Sequence, residues 1–340
     1  MEKKIFILAI ESSCDDTSVA ISCNDKILAN VTANQKIHEQ YGGVVPELAS
    51  RDHQRNIIPV IDASLKKAKT TLQQIDAIAF TMGPGLMGSL LVGASLAKSL
   101  AWSLNIPLIS VNHMQGHILA HFIKKTSETK TPSFPFLCLT VSGGHTQIVK
   151  LNNHFEFELL GETMDDAVGE AFDKAAKILG FPYPGGPLID EYAKSGNPTA
   201  YVFPAAKVEG YNYSFSGIKT SFLYFIQTNV QKDANFIEKN LPTICASYQH
   251  HLIKTLLKKL INASNDTGIK EIAIAGGVSA NSELRKQLTE LGEKNHWSIF
   301  IPPFEYCTDN AAMIAIAGYY KFLRNDFSNL SIAPDVRMGI

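Results

Sequence analysis

The pattern of apolar and polar positions changes period several times along the chain, and it does so in the same order twice. Residues 6–22, FILAIESSCDDTSVAIS, read as an apolar strand, a small and acidic turn and an alternating strand, with a third strand in NDKILANVTA (24–33). Residues 136–150, FLCLTVSGGHTQIVK, repeat that plan around a Ser-Gly-Gly turn, and HFEFELL (154–160) adds a third strand after the turn at Asn152 and Asn153. Residues 75–113 then predict strand, Gly-Pro-Gly turn, long apolar helix and strand. Residues 269–306 predict the same succession with a Gly-Gly turn and an amphipathic helix. Strand–helix–strand is a βαβ unit, right-handed by default. Two matching halves predict an α/β protein built by duplication. Lobe I covers 1–133, with 311–340 packing back on it, and lobe II covers 134–310.

Duplication predicts a cleft between the lobes, faced by four turns at 11–17, 83–88, 142–146 and 276–281. A glycine turn entering a helix leaves backbone N–H groups unpaired and able to cradle an anion. Singly, each is an ordinary connection; four at matching positions favour a nucleotide or another phosphate compound. The stretch HMQGHILAH places His113, His117 and His121 at i, i+4 and i+8, on one helical face. Alone it reads equally as solvated or capping histidines. The repeat supplies a partner: the place equivalent to His113 in the second half holds Asp309, expected across the cleft from His113 and His117. Two imidazoles and a carboxylate with open positions suit iron or zinc that also touches a ligand. His121 has no matched partner and reads as a helix-face residue.

Other constellations carry less. Asp166, Glu170 and Asp173 share one side of a predicted helix, as a hydroxyl or cation site or as an acidic first turn favoured by the helix dipole. PYPGGPLID (182–190) is a rigid loop open to close backbone approach. SFSGIKTSF (214–222) reads as a helix start ahead of a ligand loop through Ser216 and Lys219. HHLIKTLLKKL (250–260) is a basic amphipathic helix with a solvated face, and 124–133 is a polar linker.

Composition narrows the class. With 45% hydrophobic and 19% charged residues the chain is an ordinary globular protein, and a formal net charge of −1 advertises neither nucleic acid nor an anionic membrane. Its 5 cysteines are scattered and lack a C-x-x-C pair, which fits free thiols in a reducing cytosol. The apolar run Ile5 to Ile10 is too short for a signal peptide. The apolar segment 83–106 carries four glycines, a proline and Lys98, and reads as a buried helix rather than a membrane span. A cytoplasmic location is expected.

From IESSCDDTSVAI to CTDNAAMIA, nearly the full length, the chain resembles the bacterial tRNA N6-adenosine threonylcarbamoyltransferase family, once misannotated as a sialoglycoprotease. The shared stretches include YGGVVPELASRDH, GPGLMGSLLVG, HMQGH, VSGGHTQIV, GEAFDKAAKILG, YPGGP, FSFSGIKT and AGGVSANSELR. The resemblance implies duplicated ribonuclease-H-like lobes of the actin, hexokinase and Hsp70 type with an interlobe cleft. It implies transfer of a threonylcarbamoyl group from L-threonylcarbamoyladenylate to N6 of the adenosine just 3′ of the anticodon, in tRNAs reading codons that begin with A. Family metal ligands fall on His113, His117 and Asp309. Nucleotide contacts fall on Thr140, Val141, Ser142, Gly143, Gly144, Asp173, Gly186, Asp190 and Asn281. The implied partners are tRNA, a smaller paralogue of the same fold and a P-loop ATPase, with no membrane. Two departures stand out: Gln115 replaces the Glu usual in H-x-E-G-H, and VRMGI is shorter than the common Arg-Pro-Arg ending, which implies a reduced C-terminal RNA contact.

The implied reaction is acyl transfer from a mixed anhydride to a weak amine nucleophile. Ser142 with the Gly143 and Gly144 amides can cradle the adenylate, and a carboxylate from Asp15 or Asp16 is the expected acceptor of the amine proton. The rivals are a nucleotide-dependent scaffold of the same fold and a metalloprotease. The second is disfavoured because zincins place a Glu beside the first histidine, where this chain has Met114.

Overall fold

In the computed structural model, which describes residues 3–126 and 128–340, each expected strand forms, and burial explains why. Met1, Glu2 and Ser127, which fall in the expected N-terminal segment and the 124–133 linker, lie outside the described residues. The run of apolar residues in β1 (Phe6–Glu11) is buried on both faces, as is most of β2 (Thr17–Cys23), with β3 (Lys26–Ala33) as the half-exposed edge. Helix α1 (Pro46–Ala68) follows and stops at Lys69, which takes the left-handed conformation at φ 53°. Then come β4 (Ala77–Gly83), α2 (Met87–Leu104), β5 (Leu108–Asn112) and the short α3 (His113–Leu119).

The second half repeats the plan. A meander of β6 (Phe136–Val141), β7 (Thr146–Asn153) and β8 (Glu156–Glu162) leads to four helices: α4 (Val168–Ile178), α5 (Gly186–Ala193), α6 (Ser216–Lys232) and α7 (Phe236–Thr267). After them run β9 (Glu271–Ala275), α8 (Ser282–Asn295), β10 (Ser298–Phe300) and α9 (Ala311–Leu323). The sheets run β3-β2-β1-β4-β5 and β8-β7-β6-β9-β10, and in each the first three strands pair antiparallel and the last two join in parallel. One topology, made twice, is the signature of duplication.

The chain divides into two compact units, Met1–Thr131 with Pro302–Ile340, and Pro132–Ile301. In the first, strand alternation splits the sheet's side chains between two helical layers. Leu8, Ile10, Val19, Ile21, Ile78 and Phe80 face α1 and α2, whereas Ile7 and Ala79 meet α9 at Gly318. The core of the second unit gathers Phe172, Phe222, Tyr248 and Leu256, and its buried tyrosine hydroxyls are satisfied: Tyr248 donates to the Ala171 carbonyl at 3.0 Å and Tyr213 to that of Leu256 at 3.2 Å.

Two expectations need correction. The expected boundary at 310 falls at 301, so residues 302–310, Asp309 among them, belong to the first unit. The sequence repeat marks where β10 ends but not where the chain then goes: it passes through a 3-10 turn at Phe304–Tyr306 into α9, whose Ala311–Gly318 run is buried in the first unit. Nor is the segment 83–106 buried all round. Ser89, Leu90, Gly93, Ala94, Ala97 and Ala101 of α2 are buried, while Met87, Leu91 and Trp102 are exposed, Trp102 at 76%. A Cβ at Gly93 would stand 2.3 Å from Ser12 Oγ, so that glycine serves packing inside its own lobe.

Candidate metal centre and nucleotide-binding residues

The centre is built where β5 turns into α3. Asn112 ends the strand and caps the helix, its Oδ1 accepting from the N–H groups of Met114 at 2.9 Å and Gln115 at 3.1 Å. Its Nδ2 donates to the Gly339 carbonyl at 2.7 Å, so the cap is fixed from outside as well. His113 and His117, one turn apart, then point the same way. A Cβ at Gly116 would lie 3.1 Å from Ile314 Cδ1, and its absence lets α3 settle on α9. On that helix Asn310 is the N-cap, accepting from Met313 N–H at 3.1 Å, with Asp309 just ahead of it.

The three side chains converge. Asp309 Oδ1 lies 3.4 Å from His113 Nε2 and 3.2 Å from His117 Nε2, and the two rings stand at 88° with centroids 4.7 Å apart. Among the described residues, His113, His117 and Asp309 form the group whose ligand atoms are close enough to share one ion, within 4.8 Å of one another. Two ligand atoms each about 2.1 Å from an ion, at angles between square and tetrahedral, stand roughly 3.0–3.4 Å apart. The two spacings from Asp309 match, and with all three ligand atoms within 4.8 Å the residues can close on one ion. His117 is 1% exposed and Asp309 27%, which leaves the centre reachable from the carboxylate side. Burial pushes the Asp309 carboxyl up, but the charge and hydrogen bonds of His113 and His117 outweigh it and hold the group well below the usual range. Burial, with the neighbouring His113, depresses His117.

Below the centre runs the acidic turn. His53 of α1 donates from Nε2 to the Cys14 carbonyl at 2.9 Å and accepts from the Thr17 hydroxyl at Nδ1, 2.7 Å. Ser89 Oγ donates to the same carbonyl at 2.9 Å. The loop bearing Asp15 and Asp16 is thereby clamped from two helices. Burial, reinforced by the charges of Asp15 and Asp309, raises Asp16 to about 7, although Asn34 Nδ2 donates to it at 2.7 Å. Met114, at the place a zincin reserves for its base, is 2% exposed and apolar.

The expected nucleotide contacts all lie in the second unit. Thr140 and Val141 end β6, and the turn Ser142, Gly143, Gly144 follows, closed by the Ser142 N–H bonding to the His145 carbonyl at 2.8 Å. Nothing lies within 4 Å of where a Cβ would stand on Gly143 or Gly144, so the side-chain side of this turn is open space. Asp173 Oδ1 accepts from the Gly185 and Gly186 N–H groups at 2.9 and 3.2 Å, fixing the PGGP loop. Asp190 accepts from Ser282 and from Gln249 Nε2, and Asn281 Nδ2 donates to Gln249 Oε1 at 2.8 Å. Gln249, buried on α7, thus ties Asp190 to Asn281. Sequence reading passed it over because one amide on a helix carries no spacing signal.

Two weaker expectations resolve to structure. Asp166 lies before α4 rather than on it, and with Glu170 it pairs with Lys174 at 2.6 and 2.7 Å, so the cation these acids hold is a lysine. SFSGIKTSF is a helix start: Asp165 accepts from the Phe215 and Ser216 N–H groups and from the hydroxyls of Ser214 and Ser216. His121 sits in the 3-10 turn Ala120–Phe122, outside the convergent group.

The family model for tRNA N6-adenosine threonylcarbamoyltransferase matches residues 26–316. The tRNA N6-adenosine threonylcarbamoyltransferase of Christiangramia forsetii is 61% identical over 336 residues, covering 99% of this chain and 98% of that protein. That of Porphyromonas gingivalis is 53% identical over 341 residues, covering 100% of each. Among solved structures, full-length HypF in its phosphate- and nucleotide-bound form aligns with TM-score 0.61 at 13% identity, covering 95% of this chain and 47% of that one. Component A of (R)-2-hydroxyglutaryl-CoA dehydratase from Acidaminococcus fermentans aligns with TM-score 0.53 at 14% identity, covering 93% and 98%. At such identities the structural likeness speaks for the duplicated α/β fold alone.

Proposed function

The chain belongs to the tRNA N6-adenosine threonylcarbamoyltransferase family, and from that premise we propose that it moves the threonylcarbamoyl group of L-threonylcarbamoyladenylate to N6 of adenosine 37, in tRNAs reading codons that begin with A. We propose one divalent ion per chain, iron ahead of zinc, held by His113, His117 and Asp309. The observation that carries the reading is the convergence of those three groups at ligand spacing in a chain of this family. An ion held by His113, His117 and Asp309 would supply Lewis-acid stabilisation of developing negative charge on phosphate or carbonyl oxygen.

The chain's own residues do the rest. The amides of Gly143 and Gly144, with Ser142, hold the phosphate, and Asp173, Gly186, Asp190 and Asn281 hold the nucleoside. The N6 amine attacks the carbamoyl carbon, the C–N bond forms, and the C–O bond to phosphate breaks with its electron pair leaving on AMP. The amine then has a proton to lose. Asp16, raised to about 7, is matched to accept it near neutral pH, and Asp15 helps by raising its neighbour. Because Asp16 must be ionised to act, the rate is expected to climb with pH through about 7 and level off above it. Asp16→Asn should slow transfer by roughly 10²–10⁴-fold and flatten that climb. An unaltered pH profile in the variant removes Asp16 from the reaction.

Gln115 lies two residues from each ligand histidine, on the side of α3 turned away from the ion. The glutamate usual in the family is therefore dispensable for ligation. Gln115→Glu is expected to change kcat by less than about tenfold, under about 1.4 kcal/mol of barrier, in a single-turnover assay. A far larger gain would make that carboxylate catalytic.

Finer partner assignments follow the same premise. We place the smaller paralogue on the exposed Met87, Leu91 and Trp102 stripe of α2, and a P-loop ATPase as the source of energy for resetting the complex. The reaction is placed in the cytoplasm, consistent with five free thiols. The test of function is incubation with synthetic threonylcarbamoyladenylate, unmodified tRNA and the partners, followed by mass spectrometry of the nucleosides. Nucleotide binding without any modified adenosine would instead make the chain a scaffold.

A further inference from the structure

A ligating imidazole has a second nitrogen, and the group facing it decides which nitrogen is left for the ion. At His113 that group is Glu11. Its Oε2 lies 3.0 Å from His113 Nδ1, with Ser13 Oγ 3.1 Å from the same nitrogen. Glu11 is the last residue of β1 and is 0% exposed. Its other contacts use it as an acceptor only: the Ser13 N–H donates to Oε1 at 2.6 Å, and the Thr81 hydroxyl, from the neighbouring parallel strand, donates to Oε2 at 2.6 Å. A carboxylate in that role leaves His113 Nδ1 as donor and turns Nε2 toward Asp309. His117 is held differently. Its Nδ1 is buried and bonds to no group among the described residues, so nothing comparable there fixes its tautomer.

We propose that Glu11 is a positioning residue of the metal centre, holding His113 as the Nδ1–H tautomer so that Nε2 ligates the ion, and making His113 the anchored and His117 the compliant ligand. The proposal rests on the metal reading of His113, His117 and Asp309. It assigns to the IESS strand end a task that strand pairing does not require, because Glu11 has its backbone register with Ser18 whatever its side chain does.

The test uses the full chain loaded with zinc or cobalt(II), with no transferase assay. In the zinc form, long-range proton–nitrogen-15 correlation is expected to show His113 protonated at Nδ1 and metal-bound at Nε2. Glu11→Gln keeps the volume and one acceptor but loses the charge, and zinc affinity in chelator competition should fall about 10–100-fold, with a shifted cobalt(II) visible spectrum and an intact circular dichroism spectrum. Failure of the wild-type chain to bind zinc would overturn the centre, and the proposal with it. Zinc bound through His113 Nδ1, or a Glu11→Gln affinity within twofold of wild type and an unchanged cobalt spectrum, would overturn the role of Glu11 while the centre stands. If Glu11→Gln does not fold, the wild-type nitrogen-15 spectrum decides alone.

Discussion

His113→Ala, His117→Ala and Asp309→Ala are each expected to strip the ion and nearly all transferase activity while leaving the fold in place. Loss of an outer-shell partner typically weakens metal binding about 10–100-fold, and loss of a direct ligand from a three-residue set should exceed that. Loss of one well-placed stabiliser of developing charge costs about 10²–10³ in kcat, so the rate should fall at least that far. The fold should survive because each residue is held by features the substitution leaves alone. Asn112 still caps α3, Asn310 still caps α9, and Glu11 keeps its bonds from Ser13 and Thr81. Metal content of chelator-free protein, circular dichroism and single-turnover transfer measured side by side check this. Near-normal metal in all three purified variants sinks the assignment.

The pair His113 and His117 was legible in the sequence because helical spacing is a local property, and Asp309 because duplication converts a distant position into an equivalent one. What duplication could not convey is which unit Asp309 joins. That depends on α9, whose residues Ala311–Gly318 are buried without exception, so the helix must enter a core and carries Asp309 beside α3 as it does so. The candidate metal centre is therefore the product of one unit, α3 against α9, rather than of two facing repeats.

Glu11 and His53 were invisible for a related reason. Glu11 reads as the polar end of a strand, and its burial follows from parallel pairing with β4, which brings Thr81 near, and from α3 lowering His113 onto it. His53 lies on α1, a helix that no repeat signalled, yet its ring clamps the loop of Asp15 and Asp16. The acids near α4 stayed undecided between a hydroxyl or cation site and an acidic first turn, because the sequence does not show that Lys174 reaches both Asp166 and Glu170. Side chains that act in the site through a neighbour leave no periodic trace, whereas the ligands do.

The isolated chain is expected to bind tRNA weakly and to complete a single turnover at best. Phosphate contacts by Lys and Arg normally dominate such affinity, and proteins making six to ten of them lose about 10³–10⁵ in affinity between 50 and 200 mM salt. This chain has 31 basic against 32 acidic residues. Many of its lysines are already engaged, Lys174 with Asp166 and Glu170, Lys124 with Asp25, Lys150 with Glu158 and Lys239 with Asp233. On α7 the exposed Lys254 and Lys258 form a short stripe rather than a field. A shallow salt dependence with a Kd in the non-specific range, about 10⁻⁴–10⁻⁶ M, is therefore expected. Adding the smaller paralogue and the ATPase with ATP should restore many turnovers by supplying basic surface and resetting the complex. Trp102→Asp should abolish that rescue without touching single turnover, since Trp102 is 76% exposed and is not among the proposed ligands. The checks are tRNA binding across a salt series, and turnover with and without partners. Tight, steeply salt-dependent binding and sustained turnover by the chain alone would show that it carries its own RNA surface.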